Sequence, residues 1–217
     1  MRIGILGTGV VGQTIGTKLV SLGHEVRLGS RKAGNEKAKT WAKSAGRGAS
    51  AGTFADAATF GEIVFNCTSG MGSLEALRQA GAKNLDGKVL VDVANPLDFS
   101  KGMPPTLTVC NTDSLGEQIQ REFPKARVVK SLNTVTCTVM VEPSKVPGDH
   151  AIFVCGNDAA AKAQVSDILK KWFGWKSIID LGDISSARGA EMVLPLWVRL
   201  MGTFHSPNFN FVISRGH

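Results

Sequence analysis

Residues 7–12 read Gly-Thr-Gly-Val-Val-Gly, the spacing GxGxxG. At a strand-to-helix turn the three glycines have separate tasks. Gly7 permits the tight turn, Gly9 lets backbone approach a pyrophosphate, and Gly12 lets the helix lie close to the strand. Exposed amide groups at the start of that helix then face the phosphates. Such a loop alone is weak, because glycine turns are common, but here a β-branched run (2–6) precedes it and a helical pattern through Val11, Ile15, Leu19 and Leu22 follows it.

A dinucleotide site of this kind places an acid about 20 residues further on, where it accepts hydrogen bonds from the adenosine ribose. This chain instead reads Gly29-Ser30-Arg31-Lys32 at the end of its second strand. A carboxylate would repel a 2′-phosphate, whereas the Ser30 hydroxyl, the Arg31 guanidinium and the Lys32 ammonium would hold one through charge-assisted hydrogen bonds. The expected cofactor is NADP(H). Lys32 by itself could equally be a solvated turn residue.

The ends of the later strands are where a doubly wound sheet binds its ligand. They carry Asn66-Cys67-Thr68-Ser69, Ala94-Asn95-Pro96 and Ser131-Leu132-Asn133-Thr134, all small or neutral. Such residues can approach the second ribose and the nicotinamide carboxamide closely without adding charge. For Cys67 and Thr68 a capped strand end explains the residues as well. Lys130 beside Asn133 has the composition of a catalytic Lys/Asn pair, but at a strand end it reads as a surface lysine.

The elements that must position these residues follow from periodicity. Strands are expected at 2–6, 25–28, 62–65, 88–91, 126–129, 151–154 and 176–179. Helices are expected at 10–22, 35–44, near Ala55, and at 72–80, 114–122 and 158–172. Alternation of this kind, with Val- and Ile-rich strands, predicts an α/β fold: a doubly wound parallel sheet of the Rossmann, NAD(P)-binding type with a C-terminal helical segment. From Ile184 a nearly all-apolar helical pattern runs through Ala187, Met192, Leu196 and Leu200, with Pro195 inside it, where a helix must kink or begin afresh. The tail over 204–213 carries three phenylalanines and little charge, and is expected to cover a core, a ligand or a second subunit.

At 217 residues with 43% apolar side chains the chain has room for one sizeable core, so residues 1–217 read as one domain. No apolar run reaches the roughly 18 residues of a membrane span, and the N-terminus runs straight into a strand, which points to a cytoplasmic protein. The net charge of +7 is local: residues 1–50 carry nine lysines and arginines against Glu25 and Glu36, and the remainder balances at sixteen each. No aromatic-interleaved basic stripe or zinc-finger spacing accompanies it, so a small anionic ligand is favoured over nucleic acid. Cys67, Cys110, Cys137 and Cys155 lack metal-ligand spacing and read as buried free thiols, and no metal site is assigned.

Five segments together resemble the NADPH-dependent oxidoreductases typified by the coenzyme F420:NADP oxidoreductases of archaea and actinobacteria. They are GTGVVGQTIGTKLVSLGHEVRLGSRK, DVANPL, VVKSLNT, VCGNDAAAK and DLGDISSARGAEMVLPLWVRLMG. The cofactor domain of the STEAP metalloreductases is similar over the same pieces. The resemblance implies direct hydride transfer between NADPH and a deazaflavin or flavin, with no catalytic acid or base. It implies that Thr8, Gly9, Val10 and Val11 hold the pyrophosphate, Ser30 and Arg31 the 2′-phosphate, and Asn95, Asn133 and Thr134 the nicotinamide end. It further implies that the segment 184–217 covers the substrate side, that Met192 and Pro195 wall the pocket, and that the chain forms a homodimer. Coenzyme F420 carries an acidic tail, and the C-terminal third offers only the dispersed Arg188, Arg199 and Arg215. The acceptor therefore stays open between F420, FMN or FAD, and another small oxidant. A different class of function, a non-catalytic NADPH sensor docking a partner through its tail, predicts tight binding and slow oxidation.

Overall fold

A computed structural model of the chain describes residues 1–216; His217 lies outside them. The first half runs β1 (Arg2–Leu6), α1 (Val10–Ser21), β2 (Glu25–Ser30), α2 (Glu36–Ala45), β3 (Ala49–Thr53), α3 (Phe54–Phe60), β4 (Ile63–Asn66), α4 (Gly70–Ala80), α5 (Ala82–Leu85) and β5 (Val89–Asp92). The two-residue strands β6 (Leu97–Asp98) and β7 (Thr106–Leu107) form a separate hairpin. Then come α6 (Leu115–Glu122), β8 (Arg127–Ser131), α7 (Cys137–Val141), β9 (Ala151–Cys155), α8 (Ala159–Ile168), β10 (Ser177–Asp180), α9 (Ala187–Met192) and α10 (Leu194–Phe204).

The main sheet has the order β10-β9-β8-β5-β4-β1-β2-β3. Its neighbouring strands pair in parallel except β8 and β9, which run antiparallel, so the expected doubly wound parallel sheet holds with a reversed flank. An antiparallel strand at this flank is common on otherwise parallel sheets, and its direction is set by the path of the connection over α7, not by its own residues. Strand β1 lies between β2 and β4, and there the winding reverses, opening a crevice at the carboxyl ends of the strands.

Period-two alternation explains why both faces are covered. Ile3, Ile5, Phe65, Val89, Val91 and Val129 point into one core with Ile15, Leu19 and Trp41. Leu6, Val64, Leu90 and Val128 point into the other with Leu77, Leu85 and Ile119. Residues adjacent in sequence thus serve opposite layers, and the strands read as continuous apolar runs.

Other departures have local causes. β3 (ASAGT) is made of small, half-buried residues at the sheet edge and has no apolar pattern. Past α8 the helix widens to a π turn over Leu169–Phe173 that ends at Gly174 in the left-handed region. At Pro195 the helix does begin afresh, as α10. Of the four free cysteines, Cys67 and Cys155 are buried, but Cys110 is exposed and Cys137 half-buried, which corrects the expectation for those two. Among the described residues no helix is long and apolar enough to cross a membrane, and no group of metal-ligating side chains assembles.

Candidate active site

The glycine loop turns as its residue types require. Gly7 adopts φ 117°, and a Cβ there would lie 2.5 Å from the Cys67 carbonyl oxygen. A Cβ on Gly12 would lie 2.3 Å from the Gly7 carbonyl oxygen, so this glycine folds the helix start back against its own loop. Gly9 differs: its φ of −76° is ordinary, and a Cβ there would meet nothing within 4 Å. The space above Gly9 is open, and among the described residues no side chain caps the α1 N-terminus there. An uncapped helix start under an empty cradle leaves N–H donors for an anion, which is the fit a pyrophosphate needs.

Gly7, Thr8, Gly9 and Thr68 line a cavity of ≈ 220 Å³ together with Arg31, which reaches it from the end of β2. Arg31 and Lys32 are exposed, and among the described residues neither pairs with a carboxylate. Ser30 is buried, and its hydroxyl donates to the Lys32 carbonyl at 2.7 Å. The Ser30 side chain therefore shapes the turn that presents the two cations.

A second cavity, ≈ 440 Å³, sits at the sheet's switch point and within the size range of small-molecule sites. Val10 and Val11 form one side of it, Cys67 and Thr68 another, and Ala94, Asn95 and Asn133 a third. Met71, Leu97, Phe99, Met140, Leu194 and Trp197 add large apolar side chains, and no lining residue carries a charge. Val10, Met71 and Phe99 are apolar yet largely exposed, so the cavity has a wettable apolar rim of the kind that planar rings cover.

Asn95 and Asn133 are locked face to face. Asn133 Nδ2 donates to Asn95 Oδ1 at 2.9 Å and to the Ala190 carbonyl at 2.9 Å, while Asn95 Nδ2 donates to the Asn133 carbonyl at 2.8 Å. Leu132, with φ 64° in the left-handed region, turns the chain so that Asn133 reaches this position. A branched side chain is rarely found there, and holding it costs of order 1 kcal/mol. Thr134 lies beside them but is buried, does not line the cavity, and its hydroxyl has no partner among the described residues. Met192 is half-exposed and neither it nor Pro195 lines the cavity. With α10 starting at Leu194, helical phase turns Leu194 and Trp197, three residues apart, toward it instead.

Beneath this floor lies what the sequence reading missed. Lys130 is not a surface lysine: its side chain is 0% exposed, because β8 is an inner strand and the residue points between layers. Its ammonium lies 2.8 Å from Asp92 Oδ2 and 2.8 Å from Glu191 Oε1, and it donates to the Ala94 carbonyl. Burial alone would lower its pKa, but Asp92 and Glu191 outweigh burial and hold the ammonium above its ordinary value. Asp92 Oδ1 accepts from Asn66 Nδ2 at 2.9 Å and from the Ala94 N–H at 3.2 Å. Glu191 accepts from the N–H groups of Leu115 (2.9 Å) and Gly116 (3.1 Å) at the start of α6. Thr68 joins the same network by donating to Asn66 Oδ1 at 2.7 Å. Neighbouring Cys155 is a protonated thiol, pushed up to about 12 by burial. The one available signal was a lysine within a Val-rich strand, which a buried pairing explains.

The C-terminal tail folds back over this end. Phe209 stacks on Trp197 at 5.2 Å and meets Phe204 edge-on at 5.4 Å. Asn210 Nδ2 then pins the chain to His150 Nδ1 at 2.9 Å and to the Ala151 carbonyl at 2.8 Å.

Comparison with known proteins agrees with this geometry. Residues 2–96 match the family model of NADP oxidoreductase, coenzyme F420-dependent. The F420-dependent NADP reductase of Methanocaldococcus jannaschii is 32% identical over 211 residues, which cover 92% of each chain. Metalloreductase STEAP3 of Rattus norvegicus is 30% identical over 205 residues, 90% of this chain but 38% of that one. A crystal structure from Arthrobacter sp. FB24, described as a candidate F420-dependent NADP reductase, superimposes with TM-score 0.93 at 53% identity over 99% of this chain and all of that one. A reductive aminase of Aspergillus terreus, solved with NADPH, shares the fold alone, at TM-score 0.66 and 21% identity over 94% of this chain and 62% of its own.

Proposed function

The chain belongs to the coenzyme F420-dependent NADP oxidoreductases, so it is an NADP(H)-using enzyme, and we propose that it moves a hydride between the nicotinamide and a flat tricyclic acceptor, a deazaflavin or flavin. The single observation that carries this reading is the uncharged ≈ 440 Å³ cavity that runs from the glycine-loop helix to the Asn95–Asn133 pair under an apolar rim.

When bound, NADPH supplies the hydride from its C4. The residues of this chain do the rest by positioning. The α1 N–H groups over Thr8, Gly9, Val10 and Val11 bind the pyrophosphate, while Arg31 and Lys32, set by the Ser30 turn, bind the 2′-phosphate. Asn95 and Asn133 orient the carboxamide at the cavity floor, with Cys67 and Thr68 against the second ribose and Thr134 supporting the loop. Val10, Met71, Phe99 and Trp197 lie against the acceptor ring. Direct transfer between stacked rings needs aligned carbons and exclusion of water, and apolar walls with small strand-end residues provide both. No side chain has to carry a proton to C4.

Residues 184–216 cover the acceptor side through Leu194 and Trp197, with Met192 and Pro195 behind them. The exposed Leu196, Phe204, Val212 and Ile213 offer the apolar surface for a homodimer. Four free thiols suit a reducing, cytoplasmic setting. The test is to mix the protein with NADPH and oxidised F420, FMN or FAD and follow absorbance at 340 nm. Turnover with one of these is expected. Tight NADPH binding with no turnover on any of them would overturn the acceptor reading.

A further inference from the structure

The buried charge beneath the cavity floor does not balance. Lys130 contributes one positive charge, while Asp92 and Glu191 contribute two negative ones if both are ionised. Both face hydrogen-bond donors, the partners that an ionised carboxylate takes. Every polar neighbour of Asp92 is a donor: Asn66 Nδ2, the Ala94 N–H and the Lys130 ammonium. Glu191 likewise receives the Leu115 and Gly116 N–H groups and the same ammonium.

Among the described residues no other cation compensates at the cluster. Arg188 on α9 is committed to Glu117, at 2.8 Å from its Nε, and Lys162 on α8 to Asp180 at 2.8 Å. The partial positive charge of the α6 N-terminus offsets only part of the excess. The cluster touches the floor directly, because Ala94 both lines the cavity and gives its carbonyl to Lys130.

We propose that Lys130, Asp92 and Glu191 are positioning residues that set the redox preference of the site: their net negative charge, fixed under Ala94 and Asn95, holds the oxidised nicotinamide ring more tightly than the reduced one. The ring is neutral when reduced and carries one positive charge once a hydride, a proton with two electrons, has passed to the acceptor. A fixed anion behind it therefore favours transfer out of NADPH on the enzyme, with no residue taking a proton. The inference rests on the reading that the nicotinamide lies over Ala94, Asn95 and Asn133.

The experiment measures dissociation constants of NADP⁺, NADPH and 2′,5′-ADP for the full chain, for Glu191→Gln and for Asp92→Asn. Each substitution keeps the side-chain shape and removes one negative charge. In both variants the ratio Kd(NADP⁺)/Kd(NADPH) is expected to rise by roughly 5- to 30-fold, the order of effect of one unbalanced charge acting through a partly polar interior. Binding of 2′,5′-ADP, which lacks the nicotinamide, is expected to stay the same. If both dinucleotides weaken equally, the cluster is structural and the proposal fails. If 2′,5′-ADP does not bind the unmodified protein, the NADP site itself is misassigned, a separate failure. Should one variant lose 2′,5′-ADP binding through misfolding, the other decides, and loss in both would overturn the proposal.

Discussion

The two ends of the site are built by opposite means. At the proposed phosphate end, Gly9, Arg31 and Lys32 stand in or near water and come from two short stretches of chain, and the two cations pair with no carboxylate among the described residues. At the proposed nicotinamide end, Asn66, Asp92, Asn95, Lys130, Asn133 and Glu191 come from four separated segments, are mostly buried, and spend their hydrogen bonds on one another. The first region should tolerate the loss of a side chain, whereas removing the one cation of the second should cost stability. Open donors and buried mutual pairing are thereby divided between two adjoining cavities.

The largest effect should come from breaking the buried cluster. Lys130→Met leaves Asp92 and Glu191 facing each other without a cation, and should cost about 3–5 kcal/mol of stability, read as a lower midpoint in urea unfolding. A loss below about 1 kcal/mol would mean that the cluster is not what ties β5, β8 and α9 together.

Arg31→Ala should do the reverse. It should cost about 1.5–3 kcal/mol of NADPH affinity, as for a charged hydrogen bond, while leaving NADH affinity and the unfolding midpoint unchanged. Calorimetry with both dinucleotides checks this, and equal losses for the two would contradict the assignment of the 2′-phosphate. Gly9→Ala sharpens the contrast within the loop itself. A methyl at Gly9 fits the folded protein but occupies the open cradle, so the Kd for NADPH should rise about tenfold (~1.4 kcal/mol) with no shift in Tm.

The smallest effect concerns pH. The Arg188 guanidinium holds the Glu117 carboxyl below its ordinary value of 4.5, against the opposing effect of burial. A depressed carboxylate contributes stability that is full above its unfolded pKa and is lost as pH falls through its folded one. The α6–α9 contact should therefore weaken as pH drops below about 4.5, and Glu117→Gln should flatten that part of the Tm-against-pH curve.

Much of the glycine loop and of the turn after β2 was legible because their residues are near neighbours in the chain and their conformations depend on type. A glycine at φ 117° or two cations after a strand can be read without knowing what packs above them. The same holds for the order of strands and helices, which follows from apolar periodicity. What could not be read depends on partners distant in sequence. Lys130 looked like a surface lysine because charge usually means water, and its partner Glu191 sits on a helix two strands later. The edge strand β3, with only small residues, gave no periodic signal. Met192 and Pro195 seemed to face the ring pocket, while the helix restart at Leu194 turns Leu194 and Trp197 there.

By itself the sequence determined the glycine loop, the cation pair after the second strand and the α/β alternation, because each rests on backbone freedom, side-chain charge or apolar period within a few residues. Only the tertiary structure decided the direction of β9, the locked Asn95–Asn133 pair and the buried Lys130–Asp92–Glu191 cluster. These depend on which distant groups share a dry interior, where an unpaired charge is too costly to keep and a paired one becomes part of the site.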